Sequence, residues 1–409
     1  MKHLHRNLRT QSGLARRASV VLLAAGLTLA GVSAVSAGAA VKKVKLATYN
    51  IGIVSTAAGT TASGLSVVVP TVVAWADSVN ATGGIDHHKI KLFQATDTND
   101  PTALSAVQKL VTADHIVALF DNSNEDTAFE TYIDSKKIPV VGTTGASGIV
   151  GSSKYWYPSG SPSSNLGIDT LLTIQKSGKT KVAALYCAEY AACNVIDAIF
   201  DPYLSETGTS LAYVASISAS SPTYTAQCLA AQQAGATSLV VFETGQIVQK
   251  VVDNCVAQGY DPLLVATTAL EIPAWLQDPN MNGAELYASD IPAFVTNTPA
   301  TKAEFAALGK YSPSVLTSAN FGEEVPNAWV AGKELQLAMV NGDLGNSPTS
   351  AKMIKGFATF KNETFGGMSP PITVNAKGPV IPSCVFTETI SNGAFVLNNG
   401  TKLTCPPSS

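Results

Sequence analysis

The chain has 409 residues, which is long enough for two domains that each bury a core. Hydrophobic residues make up 46% of it, charged residues only 13%, and the formal net charge is -3. This composition is typical of a globular protein with a weak surface field, so nucleic acid is not expected as a partner.

The N-terminus predicts a signal peptide. Five basic residues within the first 17 positions precede the apolar run ASVVLLAAGLTLAGV, and small residues follow in AVSAGAA. This order is typical of an export signal with cleavage after Ala37 or Ala39. We therefore expect residues 1–39 to be removed and the mature protein to lie in the periplasm, in the cell envelope or outside the cell. No cysteine follows the apolar run, so no lipid anchor is expected there.

The mature region opens with the strand pattern VKLATYNIGIV, the small-residue loop STAAGTTASGLS and a helix that ends at Gly83-Gly84. Asp86, His87 and His88 are then expected on an exposed turn. A metal site at the two histidines is disfavoured, because neighbours on a tight turn point apart.

A second strand and a second helix follow this turn. Lys89 to Ala95 alternate as a strand, and Asp100-Pro101 predicts an N-cap followed by the first helical residue. Strands and helices continue to alternate as far as LLVAT at residues 263–267, with one helix expected over Asp126 to Ser135. Repeated units of this kind predict an α/β fold of parallel sheets wrapped by helices.

The second half of the chain changes character. The segment SSKYWYPSGSPSSN, residues 152–165, is rich in Ser, Pro and Gly and predicts a crossing between domains. Three late helices are expected over Lys302 to Tyr311, Val325 to Asn341 and Ser350 to Lys361. Few strands are predicted between these helices, so we expect the helices to pack on a domain whose strands come earlier in the chain. The tail from Pro371 has strand and turn chemistry.

The six cysteines of an exported chain favour disulfides, since that compartment is oxidising and no CxxC pair suggests zinc. The sequence leaves many connectivities open. Proximity favours three local pairs: Cys187 with Cys193, Cys228 with Cys255, and Cys384 with Cys405. The second pair would join consecutive helices, and the third would close a C-terminal hairpin.

Ligands in open parallel sheets gather outside the carboxyl ends of the strands. The segments after the predicted strands are rich in hydroxyl groups and glycine N–H groups, which suit a carboxylate or a similar anion. The candidates are Ser123, Thr143, Thr144 and Ser147, although ordinary capping explains the same residues equally well. Glu243 directly follows an apolar strand and is the acid best placed to face a ligand.

The sequence contains no complete catalytic motif of the kinds considered. GASG at 145–148 lacks the final glycine of a nucleophile elbow, and TTGASGIVG lacks the Lys-Ser or Lys-Thr of a phosphate-binding loop. Only three histidines remain after the signal, and His115 falls at the amino end of its strand. We therefore expect no enzyme, no cofactor and no metal, with a secreted hydrolase as the remaining enzymatic alternative.

The order of these segments resembles a known family. Strand IGIV with its small-residue loop, a helix ending in NATGGI, and then KLFQATDTNDP, IVALF with DNSN, and KKIPVVGTTGAS are similar to the branched-chain amino acid type of periplasmic substrate-binding proteins. These are the type I solute receptors of ABC importers. The resemblance covers the mature chain and is most specific from Ala47 to Ser147.

The resemblance implies two Rossmann-like lobes with parallel sheets, joined by a three-strand hinge and closing on a small molecule. It implies a first lobe of residues 40–157 and 290–371, and a second lobe of residues 158–289 and 372–409. The crossings would fall near Tyr155 to Gly160, Leu286 to Ile291 and Pro370 to Val374.

The resemblance also assigns ligand contacts. Ser63 would face the cleft, Ser123 and Thr144 to Ala146 would hold a ligand carboxylate, and Tyr190 would supply an aromatic contact. The family's acid for a ligand ammonium is replaced here by Thr268. Either Glu243 or Glu271 substitutes, or the ligand is an amide, a urea-like compound or an organic or aromatic acid, because burying an unpaired ammonium costs several kcal/mol.

The function expected from the resemblance is that of an exported receptor, a monomer that delivers a small solute to a membrane permease and its ATPase. The alternative is a sensor or regulator that uses the same two-lobed fold to report a ligand to a partner protein.

Overall fold

The computed structural model describes residues 46–56, 64–142, 149–162, 165–189, 193 and 196–405. The predicted signal peptide, residues 1–39, lies outside the described residues. Within the described ranges, no helix is both long enough and apolar enough to cross a membrane.

The first sheet has four parallel strands in the order β2-β1-β3-β4. The strands are β1 (Tyr49–Thr56), β2 (Ile90–Asp97), β3 (Ala118–Asn122) and β4 (Val140–Val141). They alternate with α1 (Val68–Ala81), α2 (Asp100–Thr112) and α3 (Glu130–Lys136). β3 is buried along its whole length and β1 along most of it, as expected of central strands covered by helices on both faces.

The second sheet has seven strands in the order β13-β12-β9-β8-β7-β5-β6. Five of them are parallel: β5 (Lys181–Cys187), β6 (Ser210–Ile217), β7 (Ser238–Phe242), β8 (Leu263–Thr267) and β9 (Glu285–Ala288). Helices α4 (Leu166–Ser177), α5 (Ile196–Thr207), α6 (Thr225–Gln233) and α7 (Gly245–Ala257) accompany them. The predicted α/β class is confirmed for both sheets.

Three helices after β9 return to the first sheet: α8 (Pro299–Tyr311), α9 (Glu324–Asn341) and α10 (Ser350–Phe357). Leu335 of α9 and Phe357 of α10 share a core with Trp75 of α1 and with β1. A Cβ atom added at Gly332 of α9 would lie only 2.6 Å from the Trp75 ring, so this glycine permits the close approach of α9 to α1. The late helices therefore pack on the domain formed by the earlier part of the chain, as predicted.

The tail forms two antiparallel pairs. β10 (Thr373–Asn375) pairs with β11 (Gly378–Val380), and β12 (Phe386–Ser391) pairs with β13 (Ala394–Thr401). β12 also pairs with β9 in antiparallel fashion, so the hairpin extends the second sheet. Below, the first lobe means the first sheet with α1–α3 and α8–α10, and the second lobe means the second sheet with α4–α7.

Three disulfides lie in the second lobe and its tail. Cys187 bonds to Cys193, Cys228 of α6 bonds to Cys255 of α7, and Cys384 bonds to Cys405 across the ends of the β12–β13 hairpin. The pairing is the local one that proximity favours.

The turn after α1 corrects one prediction. Asp86 and His87 are exposed and have left-handed φ angles of 48° and 69°. His88 is buried, however, with its Nδ1 atom 2.8 Å from the Ala47 carbonyl oxygen and its ring stacked on Tyr49. Because the turn is closed by a bridge between Ile85 and His88, the fourth residue points back to the core and not to solvent.

Helix boundaries differ from the predictions at several places, among them the start of α8, which begins at Pro299 and not at Lys302. The N-cap of α2 is Asn99 and not Asp100, because Asn99 and Thr102 exchange side-chain and backbone hydrogen bonds in a capping box. The helix expected over Asp126 to Ser135 is a 3-10 turn (Asp126–Ala128) followed by the short α3. The last late helix ends at Phe357, four residues before the predicted end.

We expect Gly332→Ala to lower the free energy of unfolding by about 1–3 kcal/mol, since the added methyl group must displace the buried Trp75 ring. Gly309→Ala in α8 is the matched control, because its Cβ atom would meet only Leu316, at 3.9 Å. The control should gain roughly 0.5–1 kcal/mol from helix propensity. Urea unfolding measures both, and equal effects would contradict this account of the contact.

Candidate functional site

The carboxyl ends of the two sheets face each other. Gln246 lies in the first turn of α7, directly after β7, and its Nε2 donates to Asn320 Oδ1 at 3.1 Å. Asn320 Nδ2 in turn donates to Ser66 Oγ at 3.3 Å, and Ser66 lies between β1 and α1. This chain of side-chain hydrogen bonds connects the segment after the carboxyl end of β7 in the second lobe to the segment after the carboxyl end of β1 in the first lobe.

A second link between the lobes is the carboxylate of Glu323, which directly precedes α9. One oxygen accepts hydrogen bonds from the Ser289 backbone N–H, from Ser289 Oγ at 2.5 Å and from the Asp290 backbone N–H at 3.1 Å. The other oxygen accepts from the Thr268 hydroxyl. Since Thr268 follows β8 and Ser289 follows β9, one carboxylate ties two strand ends of the second lobe to a helix of the first.

Glu323 is almost fully buried, and among the described residues it has four hydrogen-bond donors and no basic partner. Burial raises its pKa, while the hydrogen bonds from Ser289, Thr268 and Asp290 oppose that rise. The sequence contains no arginine after Arg17, so buried acids of this chain have no guanidinium to pair with.

Thr268, the residue in place of the family's acid, is itself buried and gives its hydroxyl proton to Glu323. Sequence reasoning missed Glu323, which lies 55 positions away. The only signal for it is the pair Glu323-Glu324 before a helix, and acids at helix starts are too common to single out a junction residue.

Glu271 lies beside this junction. A Cβ atom added at Gly322 of the first lobe would lie 2.7 Å from the Glu271 carbonyl oxygen, so the backbones of the two lobes approach closely there. Burial, followed by the neighbouring Glu388 and Glu323, raises the Glu271 pKa well above its ordinary value. Glu271 therefore packs among other acids at the junction.

Glu243, at the end of β7, has a different environment. It is 5% exposed; Oε2 accepts from the Thr244 backbone N–H at 2.8 Å, while Oε1 is buried without a hydrogen-bond partner in the described part of the chain. Carboxylate oxygens of Glu243 and Glu189 and the Cys187 sulfur lie within 4.8 Å of one another. Burial raises the Glu243 pKa to about 7, and the nearby Glu189 contributes to that rise.

In the first lobe, Ser123 organises the loop after β3. It is buried; its N–H donates to Asp121 Oδ1 at 2.9 Å, and its hydroxyl accepts from the Glu125 N–H at 2.9 Å. The next residue, Asn124, donates its N–H to Thr56 Oγ1 of β1 at 2.9 Å. The remaining predicted contacts lie outside the described residues and stay predictions: Ser63, Thr143, Thr144, Ala146, Ser147 and Tyr190.

A surface depression of about 400 Å³ lies elsewhere on the second lobe, between the segment Leu276–Asn282 and the β12–β13 turn. This segment precedes β9, so the depression sits at the amino ends of the parallel strands. Ligands of parallel α/β sheets bind at the opposite edge.

The comparisons with known proteins agree with this architecture. Residues 48–394 match the periplasmic binding protein family, and the chain belongs to that family. None of the curated proteins matches the sequence.

Solved structures show the same fold at low sequence identity. A branched-chain amino acid ABC transporter protein from Thermus thermophilus with bound valine is 14% identical, with a TM-score of 0.78 over 88% of this chain and 98% of the other. An ABC transporter solute-binding protein from R. palustris in complex with benzoate is also 14% identical, with a TM-score of 0.71 over 88% of this chain and 97% of the other. A fatty acid ABC transporter substrate-binding protein from Thermomonospora curvata is 16% identical, with a TM-score of 0.70 over 86% of this chain and 91% of the other.

We expect Glu323→Ala to lower the free energy of unfolding by roughly 2–4 kcal/mol, because the Ser289 and Asp290 N–H groups lose their acceptor. Glu323→Gln should retain most of the stability. Its amide oxygen can accept from the same donors, and its NH₂ can donate to the Thr268 hydroxyl, which lies 3.4 Å from the Tyr287 carbonyl oxygen. Chemical unfolding compares the two, and equal losses would refute the assigned role of the carboxylate.

Stability should fall as pH rises. Burial raises the pKa of several acids far above their unfolded values, to about 7 for Asp169 and Glu388 and to about 8 for Glu304 and Glu324. The folded state then binds more protons than the unfolded state between about pH 4 and pH 8, so the stabilisation present at acid pH is lost across that range. Melting temperatures from pH 4.5 to pH 8.5 should decline.

Glu304→Gln isolates one such group, since burial alone raises the pKa of Glu304. The variant should match the wild type near pH 4.5 and become the more stable of the two toward pH 8. Glu206→Gln on the exposed surface of α5 is the control and should follow the wild type throughout. Parallel curves for Glu304→Gln and the wild type would contradict the prediction.

Proposed function

We propose that the protein is an exported receptor that captures a small molecule between its two lobes and delivers it to an ABC-type importer. The observation that carries this proposal is the bridge from Gln246 through Asn320 to Ser66, which sets the carboxyl ends of both sheets against each other. That edge is where open parallel sheets bind ligands, and two such edges can enclose one. Membership of the periplasmic binding protein family supports the same function.

The ligand proposed is a small amino-acid-like, amide, or organic or aromatic acid compound. Valine, benzoate and fatty acid, named for three structural neighbours, share an organic carboxylate. Hydroxyl groups and glycine N–H groups follow the strands at the carboxyl edge, and we propose that they hold this anion. The proposed contacts are Ser63, Ser123, Thr143, Thr144, Ala146 and Ser147 in the first lobe, and Tyr190, Glu243 and Thr268 in the second.

The proposed partners are a membrane permease and its ATPase, with the receptor acting as a monomer in the periplasm or cell envelope. Closure requires that the ligand bind the closed state more tightly than the open one, which contacts from both lobes would provide. No catalytic role is proposed for any residue.

A solute screen tests the receptor function. A ligand at 100 times its dissociation constant should add about 2.7 kcal/mol to the free energy of unfolding, which a thermal-shift assay detects. The panel contains amino acids, amides, ureas, and organic and aromatic acids. Small-angle X-ray scattering of each hit should show a smaller radius of gyration in the bound state. Binding without compaction by any solute would contradict closure between two lobes.

A further inference from the structure

We propose that Glu189 and Glu243 form a subsite for a positively charged nitrogen, so that the receptor selects solutes bearing an ammonium or amidinium group. This inference rests on the proposed receptor function and names the class of its ligand. It places the counter-charge at the ends of β5 and β7, and not after β8, where the family's acid is replaced by Thr268.

The topology brings the two acids together. β5 and β7 are neighbouring parallel strands, with Tyr186 opposite Phe242, so the next residues, Cys187 and Glu243, emerge side by side at the carboxyl edge. The disulfide from Cys187 to Cys193 closes a short loop at this point, and that loop carries Glu189. Carboxylate oxygens of Glu189 and Glu243 thereby come within 4.8 Å of each other.

The pair has carboxylate oxygens free to accept from a ligand. Glu189 Oε1 accepts from Ser218 Oγ at 2.8 Å and from the Ala219 N–H at 2.9 Å, and Glu243 Oε2 accepts from the Thr244 N–H. Glu243 Oε1 is buried and accepts from no N–H or hydroxyl group of the described residues; besides burial, the charge of Glu189 and a proton shared with its carboxyl raise the Glu243 pKa. Leaving a buried acceptor unpaired is unfavourable, and a ligand N–H group would satisfy it.

The charges around the pair favour a cation. Although burial acts in the opposite direction, hydrogen bonds from Ser218, from the Ala219 N–H and from the Glu243 carboxyl lower the pKa of Glu189. Tyr224 also faces the pair, but its hydroxyl donates to the Ser218 carbonyl oxygen. Lys250, whose ammonium lies 5.4 Å from the Tyr224 ring, donates to the Ser221 carbonyl oxygen. Within the described part of the second lobe, no basic side chain bonds to Glu189 or Glu243.

The alternative acids are engaged elsewhere. Thr268, which the resemblance puts in place of the family's acid, donates to Glu323, and the oxygens of Glu323 already accept four hydrogen bonds. Glu271 is buried beside Glu388 at the junction. A metal ion is the less suitable occupant of the Glu189–Glu243 pair, because Cys187 is held in a disulfide and leaves only two carboxylates.

The test uses matched sets of solutes on the disulfide-intact mature protein. Each amino acid, such as L-valine, is compared with the acid that lacks its nitrogen, 3-methylbutanoate, and with the amine that lacks its carboxylate, 2-methylpropylamine. The amino acid or the amine of at least one set should bind, and the nitrogen-free acid should bind about thirtyfold more weakly or worse.

Variants locate the charge. Glu243→Gln and Glu189→Gln should each weaken binding of the positive solute by about thirtyfold, while the exposed Glu206→Gln in the same lobe leaves it unchanged. Affinity of the wild type should rise about tenfold from pH 6 to pH 8 as the cation displaces the proton of the pair, and Glu243→Gln should abolish that rise. A merely structural role would not produce this pH profile.

The outcomes separate the two proposals. If nitrogen-free solutes bind as tightly and compact the protein, or if Glu243→Gln binds the positive solute like the wild type, the cation subsite is overturned and the receptor function stands. If every solute fails to compact the protein, the receptor function falls and the subsite falls with it.

Discussion

The junction between the two lobes depends on one buried carboxylate, that of Glu323, which has no basic partner in the part of the chain that the structure describes. Removing an ionised acid from water is costly, and in most proteins an arginine or lysine offsets that cost. Glu323 has donors from two strand ends in their place. The N–H groups of Ser289 and Asp290 leave β9 where the chain passes to the first lobe, and they in turn need an acceptor. The acid and the crossing segment therefore satisfy each other, which fixes where α9 begins relative to β8 and β9.

Other acids of the described residues are also buried. Glu304 and Glu334 are each at most 2% exposed, and Glu304 Oε1 has no hydrogen-bond partner within the described part of the chain. Burial raises the pKa of Glu304 to about 8 and that of Glu334 well above its ordinary value. These buried carboxyl groups therefore favour the protonated form more strongly than they would in water.

Much of the fold can be predicted from local patterns in the sequence. Alternating strands and helices predict the parallel sheets, glycines mark the end of α1, and closeness in sequence predicts the disulfide pairs. The misplaced details depend on tertiary contacts. His88 lies on a turn that looks solvated in sequence, yet a bridge to Ile85 directs it onto Tyr49. Glu323 resembles any acid at a helix start until β8 and β9 are brought beside it. Of the predicted site, sequence position was enough to single out Glu243, but the approach of Glu189 required the pairing of β5 with β7.

The disulfides are distributed unevenly. All six cysteines lie between positions 187 and 405, and residues 46–157 and 291–374, which contain the first sheet and the late helices, carry none. A single thiol introduced on the exposed surface of the first lobe would therefore be the only free sulfhydryl in the folded molecule. A fluorophore attached there would report the approach of the second lobe during solute capture, which makes the protein a natural scaffold for an optical solute sensor.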